Sequence, residues 1–143
     1  MEVQIRKIDK KDYPDIVTLR NNELGGNVTL EEMALKMDVM KENEHYETFV
    51  AVYDGRVAGF ISTVIVLAIE WPVGYLRVEG FAVDKSIQGK GIGSKLLDYA
   101  EEYAKSKGIG AACLNSNLKR ADSHAFYEGR GYNKQSYFFV KKL

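Results

Sequence analysis

The chain has 143 residues, which suits one hydrophobic core, and we expect a single domain over residues 1–143. Hydrophobic residues make up 45% of it, a share that excludes a disordered chain. The 20 basic and 20 acidic side chains cancel, so we expect no nucleic-acid partner, because such a partner usually requires a basic surface.

The sequence also bears on the compartment. Cys113 is the single cysteine and cannot form an internal disulfide, and the first residues are charged where a signal peptide needs an apolar run. The longest apolar stretch, residues 60–69, is too short to span a bilayer. We therefore expect a soluble, cytoplasmic protein without a membrane partner.

The N-terminal third predicts one strand and two helices. Apolar and charged residues mix over residues 2–8, which indicates a short strand. Asp12 is placed to be the N-cap of a helix that stops near Gly25. Thr29 opens a capping-box pattern for a second helix, whose methionines suit a core or the lining of a cleft.

From residue 47 the pattern changes to a period of two, which indicates strands. Asp54-Gly55 is typical of a tight hairpin turn. The predicted strands cover residues 49–53, 57–67, 75–83 and 111–115, with one or two closing strands within residues 132–141. Helical spacing predicts helices that begin at Ile92 and end before Gly108, and that cover residues 121–129. This order implies a mixed sheet with helices on its faces.

A glycine-rich loop, Gly89-Lys90-Gly91-Ile92-Gly93, joins the strand over residues 75–83 to the helix that follows. Unpaired N–H groups at a helix N-terminus suit a phosphate, and glycines let a ligand approach the backbone closely. The dinucleotide fingerprint needs a third glycine where this chain has Ser94 or Leu96, and the P-loop spacing fails as well. A purely structural turn remains the alternative.

The spacing Gln88-x-x-Gly91-x-Gly93, after a strand that ends in Phe81-Ala82-Val83, resembles the acetyl-CoA-binding motif of the GCN5-related N-acetyltransferases, the GNAT family. Residues 117–132 resemble the second signature of the family, a short helix that carries a tyrosine and precedes a glycine–aromatic pair. The resemblance covers essentially the whole chain. It implies a mixed α/β (α+β) fold with a mostly antiparallel sheet of six to seven strands, a splayed parallel pair and about four flanking helices.

The resemblance implies acetyl-CoA as the acetyl donor and no metal. In the family, the glycine loop and the first helical turn bind the pyrophosphate, and the strand before them pairs with the pantetheine arm. The implied acetyl-CoA-binding residues are Phe81, Ala82, Val83, Gln88, Gly89, Lys90, Gly91, Ile92, Gly93, Ser94, Asn117 and Ser123. Asn117 and Ser123 are included because many relatives carry an asparagine where this chain has Arg120, and either residue could supply the polar contact instead.

The implied reaction is a direct attack of an amine on the thioester. A lysine-like amine is almost fully protonated at neutral pH, so a base is useful, and Glu79 is the candidate. Strand alternation puts Glu79 on the face of Phe81 and Val83, unless a bulge resets it; the alternative is an ion pair with Arg77 or a lysine. Tyr127, by resemblance, would protonate the departing thiolate, and the alternative is simple packing.

Cys113 is the rival nucleophile, but it lies in an apolar strand without an obvious histidine partner, and a buried core thiol is expected instead. Two histidines are too few to suggest a metal site.

The acceptor stays open, although an aromatic and acidic cleft would suit a cationic amine. Its expected lining is Met33, Met37, Tyr53, Trp71, Tyr75, Tyr137, Phe138, Glu23 and Glu70. We expect a small-molecule amine; the alternatives are a protein N-terminal or lysine acetyltransferase, an acetyl-CoA sensor without turnover, and an interaction domain. The resemblance also implies a possible homodimer.

Overall fold

A five-stranded sheet with the order β1-β2-β3-β4-β5 forms the centre of the computed structural model, which describes residues 2–143. The strands are β1 (Gln4–Lys7), β2 (Tyr46–Tyr53), β3 (Arg56–Val66), β4 (Tyr75–Val83) and β5 (Ala112–Leu114). The helices are α1 (Tyr13–Leu24), α2 (Leu30–Lys41), α3 (Ile92–Ser106) and α4 (Ala121–Gly129). None of the helices in residues 2–143 is long and apolar enough to cross a membrane.

The first four strands are antiparallel, and β5 pairs with β4 in parallel. The connection between β4 and β5 includes α3, as a parallel pair requires. Asp54 and Gly55 both have positive φ, at 52° and 75°, which is the conformation of a type I′ turn and explains the tight β2–β3 hairpin.

Helices cover both faces of the sheet. Leu96, Leu97 and Ala100 of α3 are fully buried, because their helical spacing places them on one side, and they pack on one face. Ile16 and Leu19 of α1 pack on the other face against Val50 and neighbouring strand residues. We call these the α3 face and the α1 face.

A β-bulge in β4 exchanges the faces to which its side chains point. Ser62 of β3 lies opposite Gly80 and Thr63 lies opposite Val78, so Glu79 is the extra residue. Before the bulge, Leu76 and Val78 belong to the core on the α3 face. After it, the odd-numbered side chains of β4 pack there instead.

Two sequence expectations about the fold are wrong. Five strands are present in residues 2–143 instead of six to seven, because residues 132–143 form neither helix nor strand. The aromatic run there favours a strand, but a strand also needs a neighbouring backbone, and β5 pairs only with β4. The Asp12 side chain does not cap α1, because its carboxylate accepts two hydrogen bonds from Arg6, at 2.7 and 2.9 Å, and one from Asp9 N.

Candidate active site

The parallel strands β4 and β5 separate after three residue pairs, and the gap between them is the candidate site. Their last paired row is Val78–Leu114. Glu79 and Asn115 are the first residues beyond it, and from there to Val83 the edge of β4 that faced β5 has no strand beside it. The expected splayed parallel pair is therefore present, and an extended ligand can hydrogen-bond to the exposed backbone edge.

The bulge also decides which N–H groups of β4 face this gap. Before it, Leu76 N donates to Ala111 O, on the β5 side. After it, Asp84 N donates to Ala58 O, on the β3 side. Since N–H groups alternate between the two edges of a strand, those of Phe81 and Val83 point into the gap.

The glycine loop lies at the wide end of the gap. The backbone N–H groups of residues 91 to 94 donate to no other group within residues 2–143, and α3 begins without a side-chain cap. Gly89 and Gly91 have positive φ, at 88° and 75°, and a Cβ built on either would meet open space. Four successive free amides beside a helix N-terminus form an anion-binding loop.

Asp84 stabilises the backbone just before this loop. It accepts from Ser86 N at 2.8 Å and forms an ion pair with Arg56 at 2.8 Å. The hydrogen bond from Arg56, followed by those from Ser86, lowers the pKa of Asp84 to about 2. The carboxylate is therefore charged at neutral pH and fixes the chain direction just before the loop.

The structure brings most of the implied acetyl-CoA residues to this gap and loop. Gly93 faces the end of β4, since a Cβ there would lie 3.7 Å from Phe81 Cζ and Phe126 Cζ. Ile92 and Ala82 are buried in the two cores and can offer only backbone atoms. Those with exposed or half-exposed side chains beside the loop are Gln88, Lys90 and Ser94.

Asn117 and Ser123 lie on the segment that leads into α4 and on α4 itself. Asn117 Oδ1 accepts from Lys119 N at 2.9 Å, so this amide oxygen shapes its own turn. His124 Nε2 lies 2.8 Å from the backbone oxygen of Asn117, which ties the first turn of α4 to that turn. Ser123 is half-buried.

Tyr127 extends from α4 into an aromatic cluster beside the gap. Its ring centroid lies 5.4 Å from Phe126, 6.1 Å from Tyr132 and 6.3 Å from Phe81. Burial raises the pKa of Tyr127, against a smaller opposite effect of the nearby Arg120 charge. The hydroxyl is therefore protonated at neutral pH, and no residue within 2–143 takes part in a hydrogen bond with it.

Glu79 does not share a face with Phe81 and Val83, because the bulge resets the alternation on which that expectation depended. Glu79 Oε1 lies 2.5 Å from Arg77 Nε, and Arg77 sits between Leu76 and Val78 and so points away from the α3 face. The Glu79 side chain is 48% exposed. The ion pair with Arg77, one of the alternatives, is therefore formed, and the carboxylate remains accessible on the α1 face.

Five of the nine expected acceptor residues fall into two groups. Trp71 and Tyr75 pack together at 5.7 Å, Tyr75 lies two residues before Arg77 on β4, and Phe138 covers Arg77. Tyr53 and Glu23 instead lie beside the anion loop: Lys90 Nζ is 6.0 Å from the Tyr53 ring, and Glu23 accepts from Lys85 N at 3.0 Å.

Two residues at the narrow end of the gap, Arg77 and Asn115, are not predicted from the sequence as site residues. The sequence indicates Arg77 only as a partner of Glu79 and does not indicate Asn115. The available signal is that Asn115 ends its predicted strand and that Arg77 is a charged residue within a predicted strand, two positions from Glu79. Cys113 is half-buried beside them, and burial raises the pKa of its thiol, which disfavours the thiolate. Residues 2–143 contain no group of three His, Cys, Asp or Glu placed to hold a metal ion.

Comparison with known proteins agrees with this geometry. Residues 4–132 match the model of the acetyltransferase (GNAT) family. An aminoalkylphosphonate N-acetyltransferase of Salmonella typhimurium is 31% identical over 131 residues, which cover 92% of this chain and 82% of that protein.

Solved structures share the fold. A transcriptional regulator from Bacillus halodurans superposes with a TM-score of 0.91 at 21% identity, over 99% of this chain and 100% of that one. AAC(6')-Iy, solved with the bisubstrate analog CoA-S-monomethyl-acetylneamine, superposes with a TM-score of 0.84 at 18% identity, over the full length of both chains. At these identities the likeness concerns the fold alone.

Proposed function

The chain belongs to the GNAT family and is an N-acetyltransferase, and we propose that it transfers the acetyl group of acetyl-CoA directly to the primary amine of a small molecule in a ternary complex. The observation that supports this best is the alignment of two sets of free N–H groups along one path. The amides of residues 91 to 94 form an anion site, and those of Phe81 and Val83 face the adjacent gap.

In this proposal the loop binds the pyrophosphate of acetyl-CoA and the edge of β4 binds its pantetheine arm. The loop supplies backbone N–H groups, which are already oriented, so little entropy is lost on binding. Lys90 and Lys95 add positive charge nearby. Asn117 and Ser123 form the opposite wall, toward α4, with Arg120 next to them.

Glu79 and Tyr127 carry the proton transfers. Glu79 takes a proton from the acceptor ammonium, directly or through water, so that the nitrogen lone pair can form the new N–C bond. As the C–S bond breaks, Tyr127 donates its hydroxyl proton to the sulfur, and its raised pKa keeps the hydroxyl protonated until then. The second proton that the nitrogen loses as the amide forms returns to Tyr127 through solvent. The Phe81 or Val83 N–H stabilises the negative charge that develops on the carbonyl oxygen.

The residues at the narrow end of the gap, where the acceptor would bind, favour a small amine. Phe138 covers Arg77 at the narrow end of the gap, and the Trp71–Tyr75 pair lies next to Arg77 along β4. Together with the accessible carboxylate of Glu79, these aromatic rings suit an ammonium group. The similarity to an aminoalkylphosphonate N-acetyltransferase supports the same class. An acetyl-CoA sensor without turnover and a protein acetyltransferase are the competing functions.

Thermal shift with acetyl-CoA, followed by measurement of free coenzyme A release over an amine panel, tests the proposal. The panel includes aminoalkylphosphonates, polyamines, aminoglycosides and a peptide with a free N-terminus. We expect acetyl-CoA to raise the Tm and at least one small amine to support release. Binding without release by any amine would identify a sensor, and release with the peptide alone would identify a protein acetyltransferase.

A homodimer is also part of the proposal. Tyr137, Phe139 and Val140 are 86%, 90% and 74% exposed, and adjacent apolar residues of this size are costly to leave in water. A second copy of the chain would cover them. Light scattering after gel filtration should give twice the monomer mass, and Phe139→Ser should lower it; a monomeric wild type would contradict the dimer.

A further inference from the structure

Arg77 lies across the point where β4 and β5 separate. Its Nη2 donates to Asn115 Oδ1, and its Nε contacts Glu79 Oε1. These two partners are the first residues beyond the last paired row of the two strands. The Phe138 ring covers the guanidinium, with its centroid 5.3 Å from Cζ. The guanidinium is thus fixed by three segments at the narrow end of the candidate site.

The guanidinium retains free donors. It has five N–H groups, and the two contacts above use those of Nε and one of Nη2. No acceptor among residues 2–143 engages Nη1. The side chain is 25% exposed, and an anion that binds at Nη1 does not need to break the ion pair with Glu79.

Glu79 retains a free acceptor in the same way. Its Oε1 atom faces Arg77, and its side chain is about half exposed. A free carboxylate oxygen therefore lies beside a free guanidinium edge, and both lie on the side of β4 away from the α3 face. One anion and one cation, held side by side, complement a short molecule that carries one ammonium and one acidic group.

We propose that Arg77 determines acceptor specificity by binding an acidic group of the acceptor, so that the enzyme prefers short zwitterionic amines, above all aminoalkylphosphonates. This inference rests on the proposed function. The planar guanidinium matches the oxygens of a phosphonate with two parallel hydrogen bonds, while Glu79 receives the ammonium. The same positive charge disfavours a polycation such as an aminoglycoside.

The first test compares acceptors on the wild-type enzyme. Aminoethylphosphonate and ethylamine differ only in the acidic group. A hydrogen bond to a charged group of this kind corresponds to roughly 10- to 150-fold in kcat/KM, and we expect the phosphonate to be preferred by that factor. Methylphosphonate, which has no amine, should inhibit competitively against the acceptor and not against acetyl-CoA. Equal kcat/KM for the two amines, or preference for an aminoglycoside, would overturn the inference.

The second test uses Arg77→Met and Arg77→Lys. Arg77→Met should raise KM for aminoethylphosphonate by roughly 10- to 150-fold, and it should lower the ratio of kcat/KM for aminoethylphosphonate to that for ethylamine by a similar factor. For Arg77→Lys we expect kinetic constants between those of Arg77→Met and the wild type, because lysine keeps the positive charge and loses the planar guanidinium. Lys105→Met, which removes one positive charge at an exposed position of α3, is the matched control and should change neither. An equal loss for both amines would assign Arg77 a structural role only.

The two tests separate this inference from the function on which it rests. Failure of the proposed function is an absence of coenzyme A release by the wild type with every amine of the panel. The inference fails if coenzyme A is released equally well with amines that carry a phosphonate group and with amines that lack one. Competition by methylphosphonate needs no variant, so the inference can be refuted even if Arg77→Met does not fold.

Discussion

Gly91→Ala tests the role of the loop amides. Gly91 precedes α3 with φ 75° and ψ 15°, in the left-handed region, where an L side chain costs about 1–2 kcal/mol. A Cβ at this position meets open space, so backbone conformation is the only direct cost. Because the loop is exposed, the variant can relax before it binds a ligand, and the cost then appears on binding. We therefore expect a 5- to 30-fold higher Kd for acetyl-CoA.

Gly108→Ala is the matched control at the other end of the same helix. Gly108 has φ 77°, also meets open space, and lies next to hydrogen bonds that end α3. Its strain must appear in folding, because no ligand is expected there, and a Tm lower by about 3–8 °C should accompany an unchanged Kd. Calorimetric titration with acetyl-CoA and thermal denaturation of both variants separate the two effects. Wild-type affinity in Gly91→Ala would refute the binding of phosphate by this loop conformation.

Three further changes address the chemistry and the loop entry. Tyr127→Phe should lower kcat by about 10²-fold, because the thiolate loses its proton donor, and keep the acetyl-CoA Kd within about twofold; an unchanged kcat in coenzyme A release would contradict the role. Glu79→Gln should lower kcat/KM by about 10²-fold at pH 7, and the loss should shrink as the pH approaches the pKa of the acceptor amine. A loss of the same size at every pH would exclude the base role. Asp84 has a pKa lowered from 3.8 to about 2, so its carboxylate stabilises the fold above pH ~4, and this contribution disappears as the pH falls through 2. Asp84→Asn should therefore cost about 1 kcal/mol in urea unfolding at pH 7 and nothing near pH 2, and an equal cost at both pH values would contradict the assignment.

Local signals in the sequence were sufficient for most elements. The predicted bounds of β4 and α4 agree with the structure, because Asp84 and the glycines end one and a compact helical pattern defines the other. The hairpin at Asp54-Gly55 follows from a dipeptide that tolerates positive φ. The glycine loop likewise depends on residues that are neighbours in the chain.

Contacts between different secondary-structure elements explain why the sequence does not indicate the bulge at Glu79 or the role of Asp12. The bulge at Glu79 depends on the pairing of β4 with Ser62 and Thr63, which lie far away in the sequence. Asp12 fits the N-cap pattern, but Arg6 on the neighbouring strand binds its carboxylate more favourably. The bulge contact lies outside any short window of the sequence. Arg6 and Asp12 are only six residues apart, but their contact forms only when β1 and the start of α1 are already in place.

The bulge also explains how one strand can serve two substrates. With regular alternation, Glu79 would share a face with Phe81 and would point toward the aromatic cluster of Tyr127, where desolvation disfavours a charged carboxylate. One extra residue instead turns Glu79 toward Arg77 on the α1 face and turns the Phe81 N–H into the gap. In the proposed reaction, the acceptor is then held by side chains on the α1 face, while the donor is held by backbone N–H groups along the strand edge. The amine and the thioester can therefore meet at the bulge without competing for the same groups.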